Sequence, residues 1–248
     1  PAAWSSWKAG LVEDLSNRTI SYLKGGAGSI IERTFPTPDQ LQRMRRGIIK
    51  VEGDADRLTI MEIDRPAVFG RVAGALSLCG LDVLEAIAHT EYGMVLAMFR
   101  VAPNTTKDID WDSVCVFVQD SVRGRVAIAA RLAERMQMYS LQISQQFPER
   151  VVDTDVKIDN QTSSTATVIE VSAPNGMGLL YQITRALSSL DLNILSAKVQ
   201  TLGSDVVDSF YVLDNDGKKI NDQGHADEVK EALKHAIESS TVMTGIGT

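Results

Sequence analysis

Residues 165–173 ("TATVIEVSA") are dense in β-branched side chains and read as a strand. The spacing then changes. Leu179, Leu180, Ile183, Ala186, Leu187 and Leu190 recur at three- and four-residue intervals, which predicts an amphipathic helix. "LNILSAKVQTLGS" places Leu195, Ala197 and Val199 on one side and Ser196, Lys198 and Gln200 on the other, the alternation of a half-buried strand. Gly203-Ser204 predicts a turn into "DVVDSFYVLD", and "DNDGKK" predicts the next one. Val229, Leu233 and Ile237 mark a closing helix over 226–238. The order β-α-β-β-α needs one more strand to complete a ferredoxin-like unit, and "RVVDTDVKI" at 150–158 is the candidate.

The same order occurs once before. Shifting the chain by 111 residues aligns 57–101 with 168–212 without a gap: Ala75 falls on Ala186, Leu76 on Leu187, Leu84 on Leu195, Thr90 on Thr201, Phe99 on Phe210. A register kept through helix and strands alike indicates duplication. The first copy reads as strand "DRLTIMEI", helix 66–79, strands "LDVLEAIAHT" and "GMVLAMFRV", and a helix from Trp111. A helix at 125–143 joins the copies, and 4–24 and 38–50 read as amphipathic helices outside the repeat. The prediction is an α+β chain with two ferredoxin-like (βαββαβ) modules. Its parts are a helical segment over 1–50, a first module over 51–124, a connecting helix over 125–149 and a second module over 150–248.

Composition narrows the functions. A net charge of −7 argues against nucleic acid, which needs a basic face. No apolar run reaches the ~18 residues of a membrane span, and no signal peptide precedes Pro1, so a cytoplasmic location is expected. Cys79 and Cys115 sit in apolar, helix-like stretches and read as buried thiols of a reducing compartment. The chain opens in mid-pattern without a Met, which reads as a piece of something longer. "GGAGS" at 25–29 lacks the Lys-Thr pair of a phosphate loop and reads as a flexible loop.

The candidate chemistry lies at the two strand-to-helix junctions, "DRPAV" (64–68) and "PNGMGL" (174–179). A helix start offers backbone N–H groups without intrahelical partners and partial positive charge, so it attracts anions. Gly176 and Gly178 remove the Cβ atoms that would hold a ligand away from those amides. Asp64 and Asn175, at matching places, can cap the helix or accept from an ammonium group. Asp82 and Asn193 begin the following strand, which is expected beside the junction. Both tasks suit a free amino acid, although the same residues also make an ordinary turn.

The segment "AKVQTLGSDVVDSFYVLDNDG", with both junctions, resembles tandem ACT domains, specifically the C-terminal pair of the bifunctional PII uridylyltransferase/uridylyl-removing enzymes. "GRVAIAARLAERMQMY" and the opening "PAAWSSWKAGLVEDL" resemble actinobacterial members, and the opening would be the tail of a preceding HD domain. The resemblance implies a regulatory part that senses glutamine, next to parent catalytic domains that act on the PII signalling protein with Mg and UTP or ATP. Pairing of ACT sheets into a homodimer is one arrangement that it leaves open. The alternative is a free-standing amino-acid-binding tandem that acts on a protein partner. The family junction is usually Asp-Arg-Pro-Gly. The first copy keeps Asp64, Arg65 and Pro66 but has Ala67 before Val68; the second keeps Gly178 and Leu179 but has Asn175, Gly176 and Met177. The second junction, with Asn175 and Asn193, is therefore expected to be the better equipped.

No active site is expected within the chain. No His-Asp dipeptide accompanies the three histidines, and Asp205 and Asp208, three apart on a strand, point to opposite faces. No metal site and no cofactor are expected within it.

Overall fold

The computed structural model describes residues 35–143, 154–174, 176–202 and 205–242. The expected helix at 4–24, the loop at 25–29, Asn175 and the Gly203-Ser204 turn lie outside them.

The first copy opens with α1 (Pro38–Arg45), β1 (Lys50–Asp54) and β2 (Arg57–Ile63), followed by α2 (Val68–Leu78), β3 (Leu81–Glu91), β4 (Met94–Pro103) and α3 (Trp111–Val122). The connector is α4 (Ile128–Ile143). The second copy is β5 (Asp155–Asp159), β6 (Thr167–Pro174), α5 (Leu179–Ser189), β7 (Asn193–Leu202), β8 (Asp205–Leu213) and α6 (Gln223–Val242).

All eight strands form one antiparallel sheet in the order β1-β2-β4-β3-β7-β8-β6-β5. Each copy supplies four neighbouring strands, and the copies join through β3 and β7, where Ala86 faces Ala197. The ferredoxin-like arrangement is present, with one difference in connectivity: the edge strand enters from in front. β5 is the strand expected at 150–158. Its counterpart β1 is not evident in the sequence, where 38–50 reads as one helix; the helix stops at Arg45 instead. "KVEGD" carries little strand propensity. Gly53 is required there because the Trp111 ring lies on it, and a Cβ would come within 2.0 Å of Trp111 Cε3.

The duplication reaches backbone details that no side chain reveals. Ala67 and Gly178 are both left-handed, with φ of 64° and 76°, and so are Gly80 and Asp191, at 74° and 57°. β3 is irregular between Val83 and Glu85, and β7 between Ile194 and Ser196, again at matching places.

The main core lies between the sheet and the helices, around Leu58, Ile60, Phe99, Ile169, Ile183, Leu187 and Phe210, all fully buried. The opposite face is covered over the first copy by α1, where Met44 packs with Met61, Met94 and Leu96. Cys79 and Cys115 are free thiols. Both are half-buried rather than buried, and burial pushes both thiols up.

Candidate functional site

The two helices that follow the junctions pack against each other. Gly70 of α2 lies against Thr184 of α5, and Gly74 against Tyr181, so the helices run antiparallel. A Cβ at Gly70 would sit 2.9 Å from Thr184 Oγ1, and one at Gly74 would sit 2.8 Å from Tyr181 Cδ2. Small residues four apart put both glycines on one helix face, and this brings the backbones close. Thr184 stays satisfied at the seam by donating to Leu180 O at 2.7 Å. The seam places each helix start beside the other helix's end.

The sheet registers reinforce that exchange. Ile63, the last residue of β2, pairs with Met94, and Met94 with Glu91 at the end of β3. Because β3 and β7 are antiparallel, the end of β3 lies toward the start of β7, where Asn193 stands. In the same way Pro174 pairs with Asp205, and Asp205 with Leu202 at the end of β7, which lies toward Asp82 at the start of β3. The expected grouping is thus corrected. Asn193 belongs to the end of the sheet that carries Asp64–Val68, and Asp82 to the end that carries the second junction. In a ferredoxin-like unit the helix runs the length of the sheet, so a strand that follows it begins at the far end.

A second correction concerns the caps. α1 is capped by Thr37 and Gln40 in a reciprocal box. Asp110 accepts from Ser113 N–H at the start of α3, and Asp222 from His225 N–H at the start of α6. α2 and α5 instead begin at Ala67 and Gly178, neither of which has a capping side chain. Asp64 makes no such bond; its own N–H donates to Gly93 O at 2.9 Å. Asn175 lies outside the described residues. The left-handed residue turns the strand into the helix without a side-chain oxygen reaching back; the first N–H of each helix donates to backbone, Val68 to Arg65 O and Leu179 to Gly176 O, and the amides after it in the first turn have no capping side chain.

The surroundings of the two openings differ. Asp64, Arg65 and Pro66 are exposed and Ala67 is half-buried. Gly93, which faces Asp64, has nothing within 4 Å of where a Cβ would be. At the second junction Gly176 is exposed, Met177 half-buried and Gly178 buried. The cover is Leu132 of α4, whose methyls lie 3.3 and 3.4 Å from the Cβ position of Gly178. Alongside, Arg135 Nη1 donates to Leu78 O at 2.5 Å, and Ile128 packs on Gly74. The connector therefore occupies the groove between the end of α2 and the start of α5. This packing, which a local reading of "PNGMGL" does not contain, covers the second junction at Gly178 and leaves Gly176 open.

Val68 and Leu179 are buried below the openings, at 4% and 8% exposure, and serve the core. Asp82 and Asn193 have exposed side chains. Desolvation by neighbouring chain raises the Asp82 carboxyl, and Asn193 Nδ2 donates to Asp214 O at 3.4 Å. One residue beside the first opening escaped the sequence reading. Glu62, the penultimate residue of β2, is 3% exposed. A lone carboxylate on the apolar side of "LTIMEI" is the signal that could have marked it.

A groove of about 430 Å³ lies elsewhere, between β1 and α3, lined by Val51, Gly53, Trp111, Cys115 and Val116 among others. It belongs to neither junction. Among the described residues, no group of three or more His, Cys, Asp or Glu side chains could hold a metal ion, and no helix is long and apolar enough to cross a membrane.

A family model described as "ACR9-like, ACT-like domain" matches residues 155–244. Among curated proteins, the bifunctional uridylyltransferase/uridylyl-removing enzyme of Rhodopseudomonas palustris is 33% identical over 96% of this chain. That of Rhodospirillum rubrum is 34% identical over 70% of it, and that of Cereibacter sphaeroides 27% over 96%. The chain covers only 31%, 19% and 30% of those enzymes, at their C-terminal end. It is a tandem of ACT-type modules related in sequence to the C-terminal part of the bifunctional uridylyltransferase/uridylyl-removing enzymes.

Proposed function

We propose that this chain is the amino-acid-sensing regulatory part of a PII-modifying uridylyltransferase/uridylyl-removing enzyme, and that glutamine is its ligand. The observation that carries the sensing role is the contrast in caps. Thr37, Asp110 and Asp222 close the starts of three helices, while the two starts at the seam between the modules carry no capping side chain. Uncapped first-turn amides suit a carboxylate. The glutamine side chain and the PII partner rest on the family resemblance of the sequence alone.

The opening that the packing favours is the first, formed by Asp64, Arg65, Ala67 and Val68 at the end of the sheet that also carries Asn193. A ligand held between two modules binds best to one arrangement of them, and that preference reaches attached domains as a coupling free energy, typically ~1–3 kcal/mol. The test is a thermal and calorimetric screen of the 248-residue chain against the twenty free amino acids. Glutamine at about a hundredfold over its Kd should add roughly 2.7 kcal/mol to the folded state. A chain that responds to none of them is no amino-acid sensor, and one that responds to another amino acid alone removes glutamine from the proposal.

A further inference from the structure

We infer that Glu62 is the acceptor that holds the ammonium group of an α-amino acid at the first opening. The inference rests on that opening being the amino-acid site, and it adds a residue to which neither the junction pattern nor the named relatives assign a role.

Glu62 stands one residue before the end of β2, and the chain then turns through Asp64–Ala67 into α2. Its face is fixed by the register. Leu58, Ile60 and Glu62 alternate along the strand and pair with Phe99, Ala97 and Val95, which all belong to the core beneath the helices. Met61 and its partner Leu96 belong to the separate cluster under α1. Glu62 therefore points to the helix side, at the strand end nearest the start of α2. There it is 97% buried, since only 3% of it is exposed.

Its two oxygens fare differently. Oε1 accepts from the N–H of Ile63 at 3.0 Å. Oε2 is buried and has no hydrogen-bond partner among the described residues. No lysine or arginine among them forms an ion pair with Glu62 either, and Arg65, the nearest cation in sequence, is exposed. A buried carboxylate oxygen without a donor is costly, and a fold that keeps one usually has a donor in its working state. The cation that fits cannot be large, because the surroundings are apolar and closed by Val95, at 6% exposure, on the same row. An α-ammonium brings N–H donors and a positive charge. The Val68 N–H already donates to Arg65 O at 3.3 Å, and the carboxylate on the same carbon reaches the N–H groups of Phe69 and Gly70 that follow it, so the two charged groups of one small molecule meet two complementary groups of the protein.

The second copy gives an internal control. The position 111 residues on is Ala173, 1% exposed, which offers no acceptor. The opening under Leu132 thus lacks both access and the anchoring carboxylate.

The test titrates the full chain with glutamine and with the α-hydroxy acid of the same side chain, by calorimetry. The wild type should prefer the amino acid by at least tenfold. Glu62→Gln, which keeps the shape and removes the charge, should erase that preference while leaving the melting temperature unchanged or higher. Glu62→Asp, which keeps the charge, should retain part of the preference. Equal affinity of the wild type for both molecules overturns the inference without any variant. An undiminished preference in Glu62→Gln overturns it as well, and leaves the sensor reading standing. No heat from the wild type with glutamine or any other free amino acid overturns the sensor reading and this inference together.

Discussion

The two strand-to-helix openings share a backbone and differ in everything around it. Both turn through a left-handed residue, Ala67 at φ 64° and Gly178 at φ 76°, and both leave the helix start without a capping side chain. The first has a methyl at that residue, an exposed approach through Asp64–Pro66, and the buried Glu62 behind it. The second has the glycine expected of a close-approach loop, but Leu132 sits on it and Ala173 stands where Glu62 would be. Duplication supplies two equivalent backbones, and the connector then breaks the symmetry. The junction richer in glycine is the one covered at its left-handed residue. The bare Cα at Gly178 receives the protein's own leucine.

That contrast can be broken most forcefully at the connector. Leu132→Ala should lower stability by about 2–5 kcal/mol in urea unfolding, since it removes a side chain that is 3% exposed and packed on backbone. It should leave ligand affinity at the first opening within about twofold. A loss below about 1 kcal/mol would mean that α4 does not seal the second opening.

Next in size is the seam on which both openings depend. Gly74→Val places a branched side chain where a Cβ already comes within 2.5 Å of Ile128 Cγ2. Overpacking should cost about 1–3 kcal/mol, and ligand affinity should fall with it, because α2 must move away from α5. Stability unchanged on chemical denaturation would show that the helices do not meet at Gly74.

Ala67→Gly sharpens the comparison by making the two openings alike. Relief of left-handed strain, set against the greater freedom of glycine in the unfolded chain, should stabilise the protein by about 0.5–1 kcal/mol. Melting of the variant beside the wild type checks this, and a destabilised variant would contradict the assigned backbone.

The smallest effect is one of pH and falls on the second copy. Hydrogen bonds from Lys157 to Asp155, and from Thr162 to Asp159, hold both carboxyls below the usual range. Because the folded pKa values lie below the unfolded ones, their contribution is present above about pH 4 and is lost as pH falls through the folded values. Hydrogen exchange at Val156 and Ile158 of β5 should therefore quicken on acidification below pH 4, and should be flat between pH 5 and 8.

Much of this architecture was legible in the residues. The shift by 111, the stripe from Leu179 to Leu190 and the alternation in β7 are local patterns that the sheet and helices obey, and the strand expected at 150–158 is present as Asp155–Asp159. β1 was not legible, because an edge strand of Lys, Val, Glu, Gly and Asp is shaped by its pairing with β2 rather than by its own propensity. At the junctions, the local pattern assigns the wrong partners. The β-α-β order alone takes Asp82 and Asn193 away from their own junctions, whereas only the β3–β7 pairing, which no local pattern encodes, brings each to the end that carries the other copy's junction. Gly70 and Gly74 carried a readable signal, two small residues four apart. Leu132 carried none, since a leucine on an amphipathic helix says nothing about which loop it covers.

The most direct measurement is a backbone-amide NMR titration of the chain with glutamine. The account predicts saturating shifts at Val68, Phe69 and Gly70 and at Asn193, with one ligand bound per chain. Shifts confined to Leu179, Leu180 and Tyr181, or two equivalents bound with both sets moving together, would contradict it.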